Sequence, residues 1–157
     1  MGSVFFVAPI TTAAMEHTAE RIAEWMQRYN QDDRQGLSSR LGMRLIKIEE
    51  GYVEGSMPVD ERTKQPFGIL HGGASVALAE TLGSIGSNVL APEGYVAVGL
   101  EINANHVRSV HQGNILCKAQ LVHHGKQTHV WDIRLFDDKG QMNCICRFTA
   151  AIIPKPG

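Results

Sequence analysis

The sequence predicts an α+β fold, an antiparallel sheet wrapped around one long central helix, and three observations carry that prediction. The stretch from about Ala74 to Leu90 is built of small and apolar residues with a single charge, Glu80, as expected of a helix buried nearly all round. Apolar residues after it recur at strand period, separated by turn residues. One hairpin precedes the helix. A hairpin, a long helix and then a run of strands is an α+β order, not the alternation of a parallel sheet.

In chain order, the first ten or so residues carry no structural signal. Met15, Ile22, Met26 and Tyr29, with Ala19 and Ala23, recur at helical spacing, and Glu16, Glu20, Glu24, Arg21 and Arg28 fill the other face. This is an amphipathic helix within an N-terminal extension, 1–40. Asn30 to Ser39 is polar and reads as a loop. The main domain, 41–157, opens with strands Leu41 to Ile48 and Tyr52 to Pro58 about the Glu49-Glu50-Gly51 turn. Asp60 to Lys64 is a charged loop. After the helix, Ala91-Pro92-Glu93-Gly94 is turn chemistry. Val96, Val98, Leu100 and Ile102 alternate in a strand that His106 to Val110 continues or follows. Strands Ile115 to Val122, Thr128 to Phe136 and Met142 to Ile153 complete the meander, with His129, Trp131, Ile133 and Leu135 sharing one face.

Composition excludes several functions. A net charge of −1 gives no general attraction to nucleic acid or to acidic membranes. No apolar run approaches the ~20 residues that span a bilayer. Val4 to Ile10 is apolar but lacks a basic flank, so it does not read as a signal peptide. Phe6 stands where a myristoylation signal wants Ser or Thr. The three cysteines, Cys117, Cys144 and Cys146, lack zinc spacing and fit reduced thiols in the cytoplasm. Cys144 and Cys146 fall on one face of a strand, a core pattern. His17, His123 and His124 have no carboxylate at ligand spacing and read as surface residues, so no metal or cofactor is expected.

Gln65 to Gly73 forms an irregular approach to the helix. Pro66 fixes its own φ, and Gly68, Gly72 and Gly73 permit tight turns. At about 100° per residue, Gly73, Ala77, Gly83, Ser84 and Ser87 fall on the Glu80 side, and Leu78, Leu82, Ile85 and Val89 fall opposite. Gly83 and Gly86 each cost about 1 kcal/mol in a helix relative to Ala. They mark a close approach by a neighbouring element, a symmetry mate or a ligand. At the helix start, around His71 and Gly72, unpaired N–H groups and the positive dipole end could receive a carbonyl oxygen, with a carboxylate two to three turns further on.

The segments Met57 to Ser84 (MPVDERTKQPFGILHGGASVALAETLGS), Val98 to Val110 (VGLEINANHVRSV) and HHGKQTHVW resemble one family in particular. They are similar to the hotdog-fold acyl-CoA thioesterases, in the bacterial group of 1,4-dihydroxy-2-naphthoyl-CoA hydrolases and enterobactin proofreading thioesterases. The resemblance runs from about Leu41 to Ile153. It implies a hotdog fold and hydrolysis of an acyl-CoA, with an aromatic acyl group favoured and a carrier-protein thioester possible. It implies Glu80 as nucleophile or general base, Gln65 and the Gly72 N–H as the groups polarising the carbonyl, and His71 beside them. Ser84 matches the hydroxyl that helps hold water, and Phe67 a wall of the acyl pocket. His106 and Arg108 match positions near the nucleotide and phosphates of CoA, and Ser109 is a further substrate-binding candidate. A homo-oligomer is expected, a tetramer of paired dimers.

Two other functions share such a fold. A hydratase or dehydratase would place its acid and histidine over the α and β carbons, whereas Gln65, Gly72 and Glu80 suit attack at the carbonyl. A non-catalytic acyl-CoA-binding module needs no carboxylate in its pocket.

Overall fold

The computed structural model describes residues 12–31 and 35–156, with side chains from 18 onward. The expectations at Met15, Glu16 and His17, at Val4 to Ile10 and at 32–34 therefore lie outside the described residues or side chains. The elements are α1 (Thr12–Tyr29), α2 (Leu37–Arg40), β1 (Arg44–Glu49), β2 (Tyr52–Pro58), α3 (Gly72–Leu90), β3 (Tyr95–His106), β4 (Asn114–His124), β5 (Thr128–Phe136) and β6 (Met142–Pro154). The strands form one antiparallel sheet in the order β1-β2-β4-β5-β6-β3. The α+β hotdog arrangement is as expected, with α3 packed across the strands of the sheet.

Leu78, Leu82, Ile85 and Val89 bury the bulky stripe of α3 against Val53, Met57, Ile115, Ile133 and Phe148 in one core. The two helix glycines answer to the sheet. A Cβ on Gly83 would stand 2.4 Å from the Phe148 ring, and one on Gly86 2.4 Å from the Trp131 indole. The neighbouring element, among the three possibilities, accounts for both. Ser87 is buried on the same side, where its Oγ accepts the Trp131 Nε1–H at 2.8 Å.

Three local expectations differ. The helix begins at Gly72, two residues early, because His71 caps it: its Nδ1 accepts the Gly73 N–H at 2.9 Å. The polar loop after α1 contains α2, and β1 starts only at Arg44. The third concerns burial. Glu80 is exposed, and Ala77, Thr81, Ser84 and Asn88 are half-buried, so one strip of α3 is left partly open among the described residues. In β3 the alternation likewise fails to bury its residues. The register shifts between Gly99 and Glu101, skipping Leu100, and Val98 and Leu100 are 40% and 61% exposed. A strand at the sheet edge with a bulge has no second neighbour to cover them.

Helix α1 packs Ile22, Trp25, Met26 and Tyr29 against the core. The Arg21 guanidinium donates to the Ala91 carbonyl just past the end of α3, a favourable place for a cation. Asn30 exchanges two hydrogen bonds with the Leu45 backbone, at 2.9 and 3.0 Å, fixing the end of α1 to β1. Cys117, Cys144 and Cys146 are buried free thiols. The neighbouring Cys144 thiol, 3.6 Å away, and burial push the Cys146 thiol up.

Candidate active site

The approach to α3 is irregular but tied down along its length. The Thr63 hydroxyl donates to the Pro58 carbonyl at 2.8 Å and accepts the Asp60 N–H at 3.1 Å. Gly68, at φ 75, turns the chain so that its N–H reaches the Gln65 carbonyl, while the Gln65 N–H reaches Ile69. Leu70 N–H then binds the Val110 carbonyl and His71 N–H the Thr63 carbonyl, both at 2.8 Å. These bonds fix Gln65 relative to the first turn of α3.

At that turn the cap consumes most donors. The His71 carbonyl accepts from Ala74 and Ser75 at 3.0 and 3.3 Å, and its ring accepts from Gly73. The Gly72 N–H is the first-turn donor that the cap does not engage. Because His71 Nδ1 accepts, the neutral ring carries its proton on Nε2. His106 Nε2 lies 2.8 Å from where a Gly72 Cβ would stand, so only glycine fits there with the imidazole in place. Gln65, Gly72, His106, Arg108 and Ser109 line one cavity of about 330 Å³. A hydrogen-bond donor at a helix N-terminus beside a carboxamide can stabilise a developing oxyanion.

Glu80 and Ser84 stand elsewhere, in a cleft of about 420 Å³ on the open strip of α3, where Trp25, Tyr29 and Ala77 are also at hand. Glu80 lies eight residues beyond Gly72, about 12 Å along the helix axis. Its Oε1 is 2.9 Å from the position of a Gly99 Cβ, so the carboxylate lies against the backbone of edge strand β3. Phe67, 85% exposed, lines neither space. Sequence reasoning missed Trp25, whose three- and four-residue spacing from Ile22 and Tyr29 places it on the packed stripe of α1. It also missed Gly99, although an isolated glycine within a strand signals close approach. Among the described residues, no three His, Cys, Asp or Glu side chains could hold a metal ion.

This geometry accompanies a clear set of relatives. Residues 67–144 match the model of the thioesterase superfamily. The 1,4-dihydroxy-2-naphthoyl-CoA hydrolase of Escherichia coli is 48% identical over 113 residues, covering 72% of this chain and 83% of the relative. The proofreading thioesterase EntH of Klebsiella pneumoniae is 45% identical over 115 residues, covering 73% and 84%. The chain belongs to the thioesterase superfamily. A thioesterase of Pseudomonas aeruginosa, solved as a glutamine-to-alanine variant, superposes with a TM-score of 0.79 at 44% identity, covering 83% of this chain and 94% of that one. Thioester hydrolysis is thus the activity class of this thioesterase, a reaction that asks for a polarised carbonyl and a source of attacking oxygen. Among the described residues no helix is long and apolar enough to cross a membrane.

Proposed function

We propose that this thioesterase hydrolyses acyl-CoA, with an aromatic acyl group seated between α1 and α3, to the free acid and CoA. A carrier-protein thioester bearing the same phosphopantetheine arm is a compatible substrate. The observation that carries this reading is Glu80, the single charge on α3, open in a cleft beside Trp25 and Tyr29. Aromatic rings at such a position favour a planar acyl group by offset or edge contacts.

The Gln65 amide and the Gly72 N–H polarise the thioester carbonyl. Glu80 either attacks the carbonyl carbon, giving an anhydride that water cleaves, or takes a proton from attacking water. In both routes the C–S bond breaks, the thiolate leaves with its electron pair, and water supplies the added oxygen. Ser84, one turn beyond Glu80, orients the water. Arg108 suits a phosphate through its planar guanidinium, with His106 and Ser109 beside it.

The separation of Gly72 from Glu80 favours sites shared between chains. Edge strand β3 supports this, being twelve residues long with exposed Val98 and Leu100 beside the Glu80 seat at Gly99. A second copy paired along β3 would bring its own Gly72 and Phe67 towards this Glu80. The assembly we infer is a homo-oligomer of such pairs, two pairs making a tetramer, in the reducing cytoplasm that three free cysteines suit.

The test is CoA release from a panel of benzoyl-, dihydroxynaphthoyl-, octanoyl- and palmitoyl-CoA. The aroyl thioesters should exceed the aliphatic ones at least about tenfold in kcat/KM, the scale of one or two good aromatic contacts. A preference for palmitoyl-CoA removes the aromatic assignment, and no turnover of any member removes the acyl-CoA assignment.

A further inference from the structure

Two buried side-chain oxygens in the cavity at Gly72 lack hydrogen-bond partners. Ser75, one turn into α3, is 1% exposed, and its Oγ makes no hydrogen bond. Asn143, 2% exposed, comes from β6, and its Oδ1 is equally without a partner. Both residues line the cavity that holds Gln65, Gly72, His106 and Arg108. The placement of Asn143 has a local cause. Leu135 pairs with Cys144 but Phe136 pairs with Met142, so Asn143 is the extra residue of a bulge. Bulges re-aim a side chain and recur beside functional sites. Its backbone carbonyl is already used, accepting from Val107 at 2.9 Å and Arg108 at 3.4 Å. Buried polar atoms are nearly always paired, so two orphans in one cavity point to a guest that pairs them.

Their hydrogen-bonding capacity describes that guest. An amide oxygen only accepts, while a hydroxyl donates or accepts. A secondary amide, with one N–H and one carbonyl, complements the pair. No acidic residue lines the cavity, so nothing there favours a cation. Arg108 and Ser109 also line an adjoining cavity of about 640 Å³, so a polar ligand can continue from Gly72 past Arg108.

We propose that Ser75 and Asn143 bind a secondary amide of the pantetheine arm, the segment joining sulfur to phosphate in CoA and carrier-protein thioesters. This rests on the acyl-thioester reading above and adds selection of the thiol to selection of the acyl group. The test compares one benzoyl group on two thiols, N-acetylcysteamine with its amide and pentanethiol without. In Asn143→Leu and Ser75→Ala the kcat/KM ratio between them should fall about tenfold, the scale of one lost hydrogen bond. Calorimetric binding of free pantetheine, which needs no turnover, should weaken about tenfold in the same variants. Weakened pantetheine binding in a protein that hydrolyses no thioester keeps the amide site and removes only the activity. An unchanged ratio together with unchanged pantetheine binding overturns the proposal. So does a loss confined to 2-hydroxybenzoyl over benzoyl substrates, which would assign the pair to the acyl group. Should Asn143→Leu fail to fold, Ser75→Ala decides alone.

Discussion

Glu80 is open to solvent on its own chain, yet its carboxylate rests against the β3 backbone at a residue with no side chain to displace it. A charge kept for chemistry contributes little to stability and can cost some. Glu80→Gln keeps the shape and removes the charge. It should lose at least about two orders of magnitude in kcat, with KM little changed and the melting temperature level or raised. CoA-release kinetics and thermal melts on one purified variant check both halves, and near-normal turnover would take Glu80 out of the mechanism. His129 behaves differently. Burial, then the neighbouring His124 and His123, lowers its pKa from 6.5 to about 4. Between those values the unfolded chain binds the extra proton, so stability rises with pH across the window and is lost as pH falls through it. A shift of that size corresponds to at most about 3.5 kcal/mol. Urea midpoints from pH 7 down to 4 should fall less steeply in His129→Leu than in the parent. At this scale the grouping of Gln65, Gly72, His106 and Arg108 about one cavity was legible because one short motif and one strand end carry them. The placement of Ser75, Gly99 and Asn143 was not, since it depends on a bulge and on strand pairings that no local pattern marks.

The helix α3 and the sheet are fitted to one another through two missing side chains. On Gly86 a methyl group would meet Trp131 at 2.4 Å and Val53 at 3.0 Å. Overpacking of this kind costs about 1–3 kcal/mol, against a gain of about 1 kcal/mol in helix propensity. Gly86→Ala should therefore lower the melting temperature by a few degrees, and combining it with Trp131→Phe should recover part of the loss. A rise in the single variant would mean that the indole yields freely. The existence and apolar face of α3 were readable from its period, but not its open strip. Period alone records which residues share a face, not whether the chain itself or a second copy covers it. Helix α1 was readable as amphipathic, whereas the Arg21 bond to the end of α3 joins residues seventy positions apart and leaves no local trace.

For the molecule as a whole, the outer edge of β3, unpaired among the described residues, is where the proposed pairing of two copies would form. Leu100→Lys places a charge on that edge, a device that blocks strand pairing. Light scattering should then report monomers at micromolar concentration, with activity lost even though the fold persists by circular dichroism. Full activity in a monomer would mean that one chain completes the site. The order of elements made the α+β class legible, since a hairpin, a helix and a meander leave few alternatives. That β3 pairs with the last strand was not legible, because alternation along a strand does not name its neighbour.

That pairing also bears on how the chain is made. Among the described residues β3 pairs only with β6, the final strand, although residues 107–141 are synthesised between them. During vectorial synthesis the share of α3 that packs on β6 stays uncovered until the C-terminal segment leaves the ribosome. The Gly99 seat beneath Glu80 closes with Phe148, so the carboxylate gains its setting only when the last strand docks. Chains shortened within β6 would strand β3 as a loose apolar ribbon, an aggregation hazard rather than a slightly weaker enzyme.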